Sequence, residues 1–508
     1  MAQLGVNLLN QISFNLIEEP WIPVADFGLA SLREVFTDPS LISIGGNPVD
    51  KISILKLLLA IAQAAYTPAN IAEWQESSST SMAHACMDYL DKWHDHFDLF
   101  GETPFLQMKG IKAAPIKSFG AVIPSVATGN TTVLTSYNND RILTNAEMAL
   151  ALITQMSMAL GGKKPDNSVV LSKGYKGKSN SNGKPSTSKP GPGIEFLGLQ
   201  HSFAIGKNLL ETIWVNLLTR NDIDSSGMYP VGLGYAPWES MPVGEDCENA
   251  QLLKSSLMGR LIPMSRFCLI ANNGIHLSEG IQHPNYKSGV VDPTITFKPG
   301  KKELKPVWFH PQKKAWRTVM ETLGHLTTNP NPETMYCYQL KCATQKLLSI
   351  DCPIVVWSGG VKVRTNAGEQ YFSGDDDMAE SMITLPYRAD YDDWYESYKS
   401  ELKQLDGLSK RVYGSVLRYY KSFNMKDALV AVKGSQMFWE YCDSLEQELL
   451  NSCDREDEMI TLKDKYASLA LQTYSELCHK RTARQISAWV KNKPYVEPYC
   501  LNKERYAP

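Results

Sequence analysis

The amino-acid sequence predicts an α+β fold, in which a large mixed domain over residues 1–385 precedes an all-α C-terminal domain over residues 386–508, built as a four-helix bundle. Before residue 386, short segments of strand formers alternate with apolar helical segments and with proline- and glycine-rich turns. After it, the segments are long, charged and amphipathic with helical spacing. With 508 residues, 43% of them hydrophobic, the chain is large enough to bury more than one core.

Local patterns predict the individual elements in chain order. Prolines end the first strand, and a glycine pair is a common stop for a helix because glycine adopts positive φ without strain. The predicted elements are a strand over 14–24, a turn over 26–28, helices over 51–66, 70–100, 148–160 and 209–218, a hairpin over 361–372, and helical segments over 387–423, 425–453 and 461–493.

Composition restricts the class of protein. Ten cysteines occur without a CxxC pair, which is unlike a disulfide scaffold or a zinc ribbon and fits a reducing cytoplasm. The first residues lack the pattern of a secretory leader, and the most apolar run, 52–65, is too short to span a bilayer. The net charge is −3, so a nucleic-acid site must be local, or partner chains supply the positive field. We expect a cytoplasmic protein without membrane contact.

A lysine- and glycine-rich segment occupies residues 161–193. Seven lysines, seven glycines and one acid leave almost nothing apolar to bury, so we expect a flexible loop. Glycine permits close approach to another surface, and lysine contributes phosphate affinity that salt weakens. The segment therefore indicates either a solubilising loop or a nucleic-acid contact.

The predicted hairpin at 361–372 offers a similar choice. VKVRT and EQYF flank a turn that contains glycine. Lys362 and Arg364 would hold phosphates while Asn366, near the tip, enters a duplex, and such wedges separate strands at a cost of a few kcal/mol per step. The alternative is an ordinary exposed hairpin.

Catalytic motifs are scarce. The sequence contains neither a GxxxxGK[ST] phosphate loop nor a GxSxG nucleophile elbow. His94 and His96, with the acidic string at 375–377, leave a metal-dependent nuclease or phosphohydrolase as an alternative, although neighbouring residues on a helix point in different directions. A solvated helix end explains the histidines more simply. We predict no catalytic residues, no metal site and no cofactor.

Several short stretches occur in a characteristic order. They are FNLIEEPWIPV at 14–24, GETPFLQMKGIKA at 101–113, a polar loop, apolar helix and glycine loop over 128–164, WVNLLT at 214–219, and WSGG at 357–360 ahead of the hairpin. Together with the C-terminal helices they resemble the CasA family, the large subunit of the type I-E CRISPR Cascade complex. The resemblance covers nearly the whole chain, and the shared order carries more weight than any single motif.

The resemblance implies a non-catalytic subunit of a guide-RNA assembly. Such a subunit recognises a protospacer-adjacent motif (PAM) in double-stranded DNA, largely from the minor groove, where readout is degenerate. It then helps to open the duplex for R-loop formation and recruits a separate helicase-nuclease. Expected partners are target DNA, the crRNA-containing Cascade with its backbone, crRNA-end and small subunits, and the helicase-nuclease. A purely structural assembly subunit is the remaining alternative.

The resemblance and the lysine-glycine composition together select candidate residues. The family's minor-groove lysine has no matching lysine here, and Asn272 or Asn273 is the candidate in its place. We expect DNA contacts from Lys109, Lys112, Asn130, Tyr137, Asn138, Asn139, Arg141, Gly161, Gly162, Lys163, Lys164, Lys173, Lys176 and Lys178. We expect the wedge hairpin to use Lys362, Arg364, Thr365, Asn366 and Gln370, of which Gln370 aligns with the family's wedge glutamine and Asn366 lies nearer the tip.

Overall fold

The structure of the protein is a computed structural model. It describes residues 13–122, 142–160, 198–284, 286, 289–298, 305–327, 335–366, 369–372, 375–425 and 428–499.

Helices occur throughout the described residues. Those before residue 386 are α1 (Leu32–Thr37), α2 (Pro48–Ala65), α3 (Ile71–Glu76), α4 (Ser79–Lys92), α5 (Phe119–Val122), α6 (Asn145–Met158), α7 (Leu209–Asn216), α8 (Arg220–Ser225), α9 (Glu248–Lys254), α10 (Met258–Leu261), α11 (Val319–Thr322) and α12 (Tyr338–Leu348). Those after it are α13 (Asp392–Lys421), α14 (Ala428–Cys442), α15 (Glu446–Ser452), α16 (Glu456–Leu477) and α17 (Ala483–Asn492). Within these ranges, no helix combines the length and apolar character that a bilayer span requires.

The strands are short and form small antiparallel sheets. They are β1 (Ile22–Val24), β2 (Gly28–Ala30), β3 (Ile116–Lys117), β4 (His201–Ala204), β5 (Arg266–Ala271), β6 (Gly274–Glu279), β7 (Thr296–Lys298), β8 (Lys305–Pro306), β9 (Tyr336–Cys337), β10 (Ile354–Val361), β11 (Arg364–Asn366), β12 (Glu369–Tyr371) and β13 (Met378–Leu385). The sheet orders are β1-β2, β13-β10-β4, β11-β12, β3-β6-β5 and β8-β7-β9. The predicted mixture of helix and strand is confirmed.

Helix α2 is the centre of the first hydrophobic core. The predicted helix over 51–66 is confirmed, and it begins at Pro48 because the Asn47 side chain accepts hydrogen bonds from the first free backbone N–H groups. Most of its residues are buried under α4, α6 and α7. Inside this core, the Lys56 ammonium pairs with the Asp292 carboxylate, and both are buried. Burial opposes ionisation of Asp292, but the charge of Lys56 holds the pKa of that carboxyl below its ordinary value.

Several of the predicted elements are wrong in extent, and the helical segments predicted over 425–453 and 461–493 are each divided into two helices. The helix predicted over 70–100 is divided into α3, α4 and a 3₁₀ turn, because Ser77 adopts extended backbone and the Ser78 hydroxyl caps α4 by accepting from Ser81 N–H. The strand predicted over 14–24 is limited to Ile22–Val24, which pairs with Gly28–Ala30 across the predicted turn. In that turn Asp26 and Gly28 both have positive φ.

The second hydrophobic core joins residues on both sides of residue 386. Trp316 packs against Trp439 with ring centroids 5.8 Å apart, and its Nε1–H donates to Asp443 over 2.8 Å. The Tyr398 hydroxyl donates to the Trp316 carbonyl over 2.6 Å. Composition therefore changes at Pro386 while the core continues across it. The division into domains at 385 and 386 stays a prediction.

Candidate nucleic-acid interface

The hairpin predicted at 361–372 forms at the end of the longest strand pair. Strands β10 and β13 pair over their full length, and the chain then continues from Val361 into β11. The backbone N–H of Lys362 donates to the Asp377 carbonyl over 2.8 Å, so the base of the hairpin is fixed to the start of β13. Strands β11 and β12 pair from Arg364 opposite Tyr371 to Asn366 opposite Glu369. Residues 367–368, which connect the two strands, lie outside the described residues.

Arg364 anchors the hairpin. Its guanidinium donates to the Asp377 carboxylate over 2.7 Å, and that carboxylate is only 4% exposed whereas the Arg364 side chain is 44% exposed. One face of the guanidinium therefore holds β11 in place, and the rest of the side chain remains accessible. Gln370, opposite Thr365 in the register, is half-buried. The side chains of Thr365 and Asn366 lie outside the described residues.

Positive charge converges at the base of the hairpin. His310 is exposed, but desolvation by its neighbours, together with the charges of Lys362, Arg317 and Lys313, lowers the pKa of its imidazole. Lys313 pairs with Glu321 over 2.9 Å, but within the described residues Lys362 has no ion-pair partner. The base is thus a cationic surface with at least one uncompensated ammonium group.

The element predicted from GETPFLQMKGIKA lies against the β5–β6 hairpin. Gln107 accepts a hydrogen bond from Ile270 N–H over 2.8 Å, and Met108 N–H donates to the Cys268 carbonyl over 2.9 Å. A 3₁₀ turn follows, on which Lys109 and Lys112 are exposed. The Lys109 ammonium donates to the Glu102 carbonyl. Both predicted lysines are therefore on the surface beside this hairpin.

Asn272 and Asn273 form the exposed turn between β5 and β6. The next residue must be glycine, since a Cβ on Gly274 would lie 2.0 Å from the Lys117 carbonyl oxygen. This close approach brings β3, and hence Lys117, directly beside the turn. The structure thus brings together an amide-bearing turn and the chain segment that carries Lys109, Lys112 and Lys117.

Most of the other predicted contact residues lie outside the described residues. They are Asn130, Tyr137, Asn138, Asn139, Arg141, Gly161, Gly162, Lys163, Lys164, Lys173, Lys176 and Lys178.

Around the lysine- and glycine-rich segment, the described residues end at Leu160 and resume at Gly198. The Leu160 carbonyl accepts a hydrogen bond from the Arg266 guanidinium over 2.8 Å, at the start of β5. On the other side, the Gly198 carbonyl accepts from Phe309 N–H over 3.0 Å. Gly198 also lies against Val363 at the base of the hairpin. The segment between them therefore connects the β5–β6 unit with the candidate wedge.

The histidines of the metal-site alternative have other neighbours. His94 Nδ1 is 3.4 Å from Asp95 Oδ1, and its Nε2 is 3.9 Å from Glu18, which Arg33 already engages at 2.6 Å. The His96 ring meets the Trp93 ring edge-on. In the described part of the chain, no three His, Cys, Asp or Glu side chains form a group that could hold a metal ion. The metal alternative thus receives no geometric support there.

Sequence reasoning missed Trp308 and His310, which lie beside the hairpin base. Trp308 is 64% exposed although its neighbour Phe309 is buried. The run KPVWFHPQKK at 305–314 carries the signal in retrospect, because a single aromatic pair stands among cations. In the fold, Trp308 forms an isolated bridge to Leu199 with its ring exposed, while the Phe309 ring is buried.

Known proteins with related sequence or fold are CRISPR-associated. The family model of the CRISPR-associated protein Cse1 matches residues 15–480. A curated CasA/Cse1 protein from Thermus thermophilus is 29% identical over 164 residues, a match that spans 29% of this chain and 32% of the relative. The crystal structure of Thermobifida fusca Cse1 is similar with a TM-score of 0.74 at 17% identity, over 96% of this chain and 98% of that one.

A chain from a structure described as a CRISPR RNA-guided surveillance complex is also similar. Its TM-score is 0.65 at 14% identity, over 94% of this chain and 98% of that one. The fold is therefore that of a CRISPR-associated protein. More specifically, the chain belongs to the Cse1 family, and the resemblance to CasA, the large subunit of type I-E Cascade, is confirmed.

Proposed function

We propose that this chain recognises a PAM in double-stranded DNA as part of a guide-RNA Cascade complex, helps to open the duplex, and recruits the helicase-nuclease that cuts. The observation that carries the proposal is the β11–β12 hairpin, which is tied to the sheet through Asp377 and has cations at its base. A wedge must resist the force of re-pairing strands, so it needs a fixed base. Cations beside it stabilise the phosphates of the separated strands.

PAM reading is assigned to the β5–β6 turn. Asn272 and Asn273 offer amide donors of the kind that bond minor-groove acceptors, which A·T and T·A pairs share. Lys109 and Lys112 provide sequence-independent phosphate contacts on the same unit. This division of labour predicts tolerance of several motifs, with the guide supplying specificity by base pairing, as in another RNA-guided effector.

The proposal assigns no catalytic role, metal or cofactor to this chain. The proposal also assigns the helices after residue 386 to contacts with the other subunits. Four of these helices have ten residues or more, and the proposal treats them as the predicted four-helix bundle; they are α13, α14, α16 and α17. The proposed place of action is the cytoplasm, where the ten cysteines of the sequence stay reduced.

The test is to assemble the guide-RNA complex with and without this chain. The measurements are affinity for targets with different flanking motifs and the permanganate reactivity of thymines next to the motif. The proposal predicts that discrimination between motifs and thymine reactivity both require the chain. Equal discrimination and equal opening without it would leave only the structural assembly role.

A further inference from the structure

Trp308 lies on a rigid part of the backbone next to the hairpin base. Val307 N–H donates to Thr296 over 3.0 Å, and its carbonyl accepts from Gln200 N–H over 3.2 Å. Phe309 N–H donates to Gly198 over 3.0 Å, and Trp308 itself bridges to Leu199. The backbone on both sides of the indole is therefore held by hydrogen bonds before any ligand arrives.

The indole packs closely on Gly198. A Cβ built there would lie 3.2 Å from Cζ3 of Trp308 and 3.5 Å from Cβ of Val363. Because glycine has no side chain, the Trp308 ring and Val363 at the base of the hairpin both lie close to the Gly198 backbone. The ring is nonetheless 64% exposed, although burial of so large an apolar side chain stabilises a fold. In the described part of the chain, no other aromatic ring or cation lies over it.

The surroundings fit a nucleobase better than a protein surface. Among the described residues of 198–200, 305–310 and 361–364, Trp308 is the only exposed large hydrophobic side chain. Protein interfaces need a contiguous apolar core, which a single ring does not supply. Single-stranded nucleic acid needs an aromatic platform with cations nearby for its phosphates. Two lysines supply such cations. Lys305 is exposed and lies three residues before Trp308, and Lys362 is partly exposed at the base of the hairpin.

We infer that the exposed face of Trp308 is a stacking platform for an unpaired DNA base released beside the hairpin. This inference rests on the proposed duplex opening and extends it, since a base held on the indole cannot re-pair. The hairpin separates the strands, and the platform then slows their return. Stacking tolerates any base because every base has a π-face, so the platform adds no sequence preference.

The test uses the assembled guide-RNA complex and two targets, one fully paired and one with a pre-opened bubble next to the motif and 2-aminopurine in it. Trp308→Ala is expected to lower affinity for the bubble target about tenfold, and Trp308→Phe to restore it to within about threefold of wild type. Quenching of 2-aminopurine fluorescence on binding should be lost in Trp308→Ala. The matched control is Tyr235→Ala, which removes another exposed ring, 68% accessible, from a different part of the surface.

The two targets separate the platform from the proposed function. Because the bubble is already open, equal bubble affinity and equal quenching in Trp308→Ala and wild type would overturn the platform, whatever happens on paired DNA. Failure of the wild-type complex to open paired DNA, with the bubble effect intact, would overturn duplex opening instead. Loss of complex assembly in Trp308→Ala, with DNA affinity of the residual complex unchanged, would assign the ring to a protein partner and also overturn the platform.

Discussion

The Arg364 guanidinium donates to the buried Asp377 carboxylate over 2.7 Å, and through this bond the first strand of the candidate wedge is joined to the start of β13. The backbone bond from Lys362 N–H to the Asp377 carbonyl adds a second link to the same residue. One residue therefore fixes the hairpin at two points.

Asp377→Asn tests this anchor, since it preserves the size of the side chain and removes its charge. We expect the free energy of unfolding to fall by about 1–2 kcal/mol, because the ion pair is lost and the charged guanidinium then faces a neutral amide oxygen. We expect duplex opening to slow while affinity for the motif changes little. Urea denaturation and permanganate footprinting measure the two effects. Asp376→Asn, at the exposed neighbouring position, is the control, and an equal slowing there would contradict the anchor.

Charge reversal at Lys163 and Lys164 tests the lysine- and glycine-rich segment. The double change to glutamate should weaken binding to all duplex targets. It should also make the negative slope of log affinity against log salt shallower by about 2, because each lost phosphate contact removes about 0.9 from its magnitude. Binding is measured over a salt series. The matched control reverses Lys399 and Lys410, exposed on α13, by the same charge. An unchanged affinity and slope in the Lys163 and Lys164 variant would reject the assignment.

Lys56→Met tests the buried Lys56–Asp292 ion pair of the first hydrophobic core. Removing the ammonium leaves the Asp292 carboxylate buried with its hydrogen bonds from Thr294 but without the opposite charge of Lys56, so we expect a loss of about 3–5 kcal/mol at neutral pH. Urea denaturation at several pH values measures it. The control is Lys51→Met on the same helix, where the Lys51–Glu380 pair is partly exposed and should contribute no more than about 1 kcal/mol.

The pH dependence of this loss has a defined sign. In the wild type the pKa of Asp292 is lowered, so its contribution to stability is present above the unfolded-state pKa near 3.8 and is lost as the pH falls through the lower folded-state value. Without Lys56, burial is the largest remaining influence and raises that pKa, although the Thr294 hydrogen bond still acts to lower it. Acidification then neutralises the unpaired carboxylate, so the difference between variant and wild type should shrink towards pH 4. A loss that is constant with pH would contradict the ionised pair.

The sequence predicts those helices and strands that are determined by residues close together along the chain. Helix α2 follows from an apolar run with a capping asparagine and a proline at its first turn, and the wedge hairpin follows from strand formers around a glycine turn. The break between α3 and α4 was missed because Ser77 and Ser78 are also compatible with a polar helical face. The capping hydrogen bond of Ser78 determines where α4 begins, and composition does not show which serine will cap a helix.

The remaining features depend on contacts between distant parts of the chain. Lys56 and Asp292 are 236 residues apart, and no spacing rule connects them. The composition changes at Pro386, and this change alone predicts two separate domains. The second core nevertheless joins Trp316 to Trp439 across that position. No periodic pattern in the sequence marks Trp308 as exposed. Its exposure depends on the tertiary fold, which buries the neighbouring Phe309 instead.

The central claim is that the β11–β12 hairpin prises the strands apart. Its most direct test is to replace Thr365 to Gly368 by a shorter turn in the assembled complex, and to follow permanganate reactivity next to the motif over time. We predict that motif-dependent affinity stays within about threefold of wild type, a change of less than about 1 kcal/mol. Opening of paired DNA should slow, while binding to the pre-opened bubble target should not. Opening of paired DNA at the wild-type rate would contradict the claim.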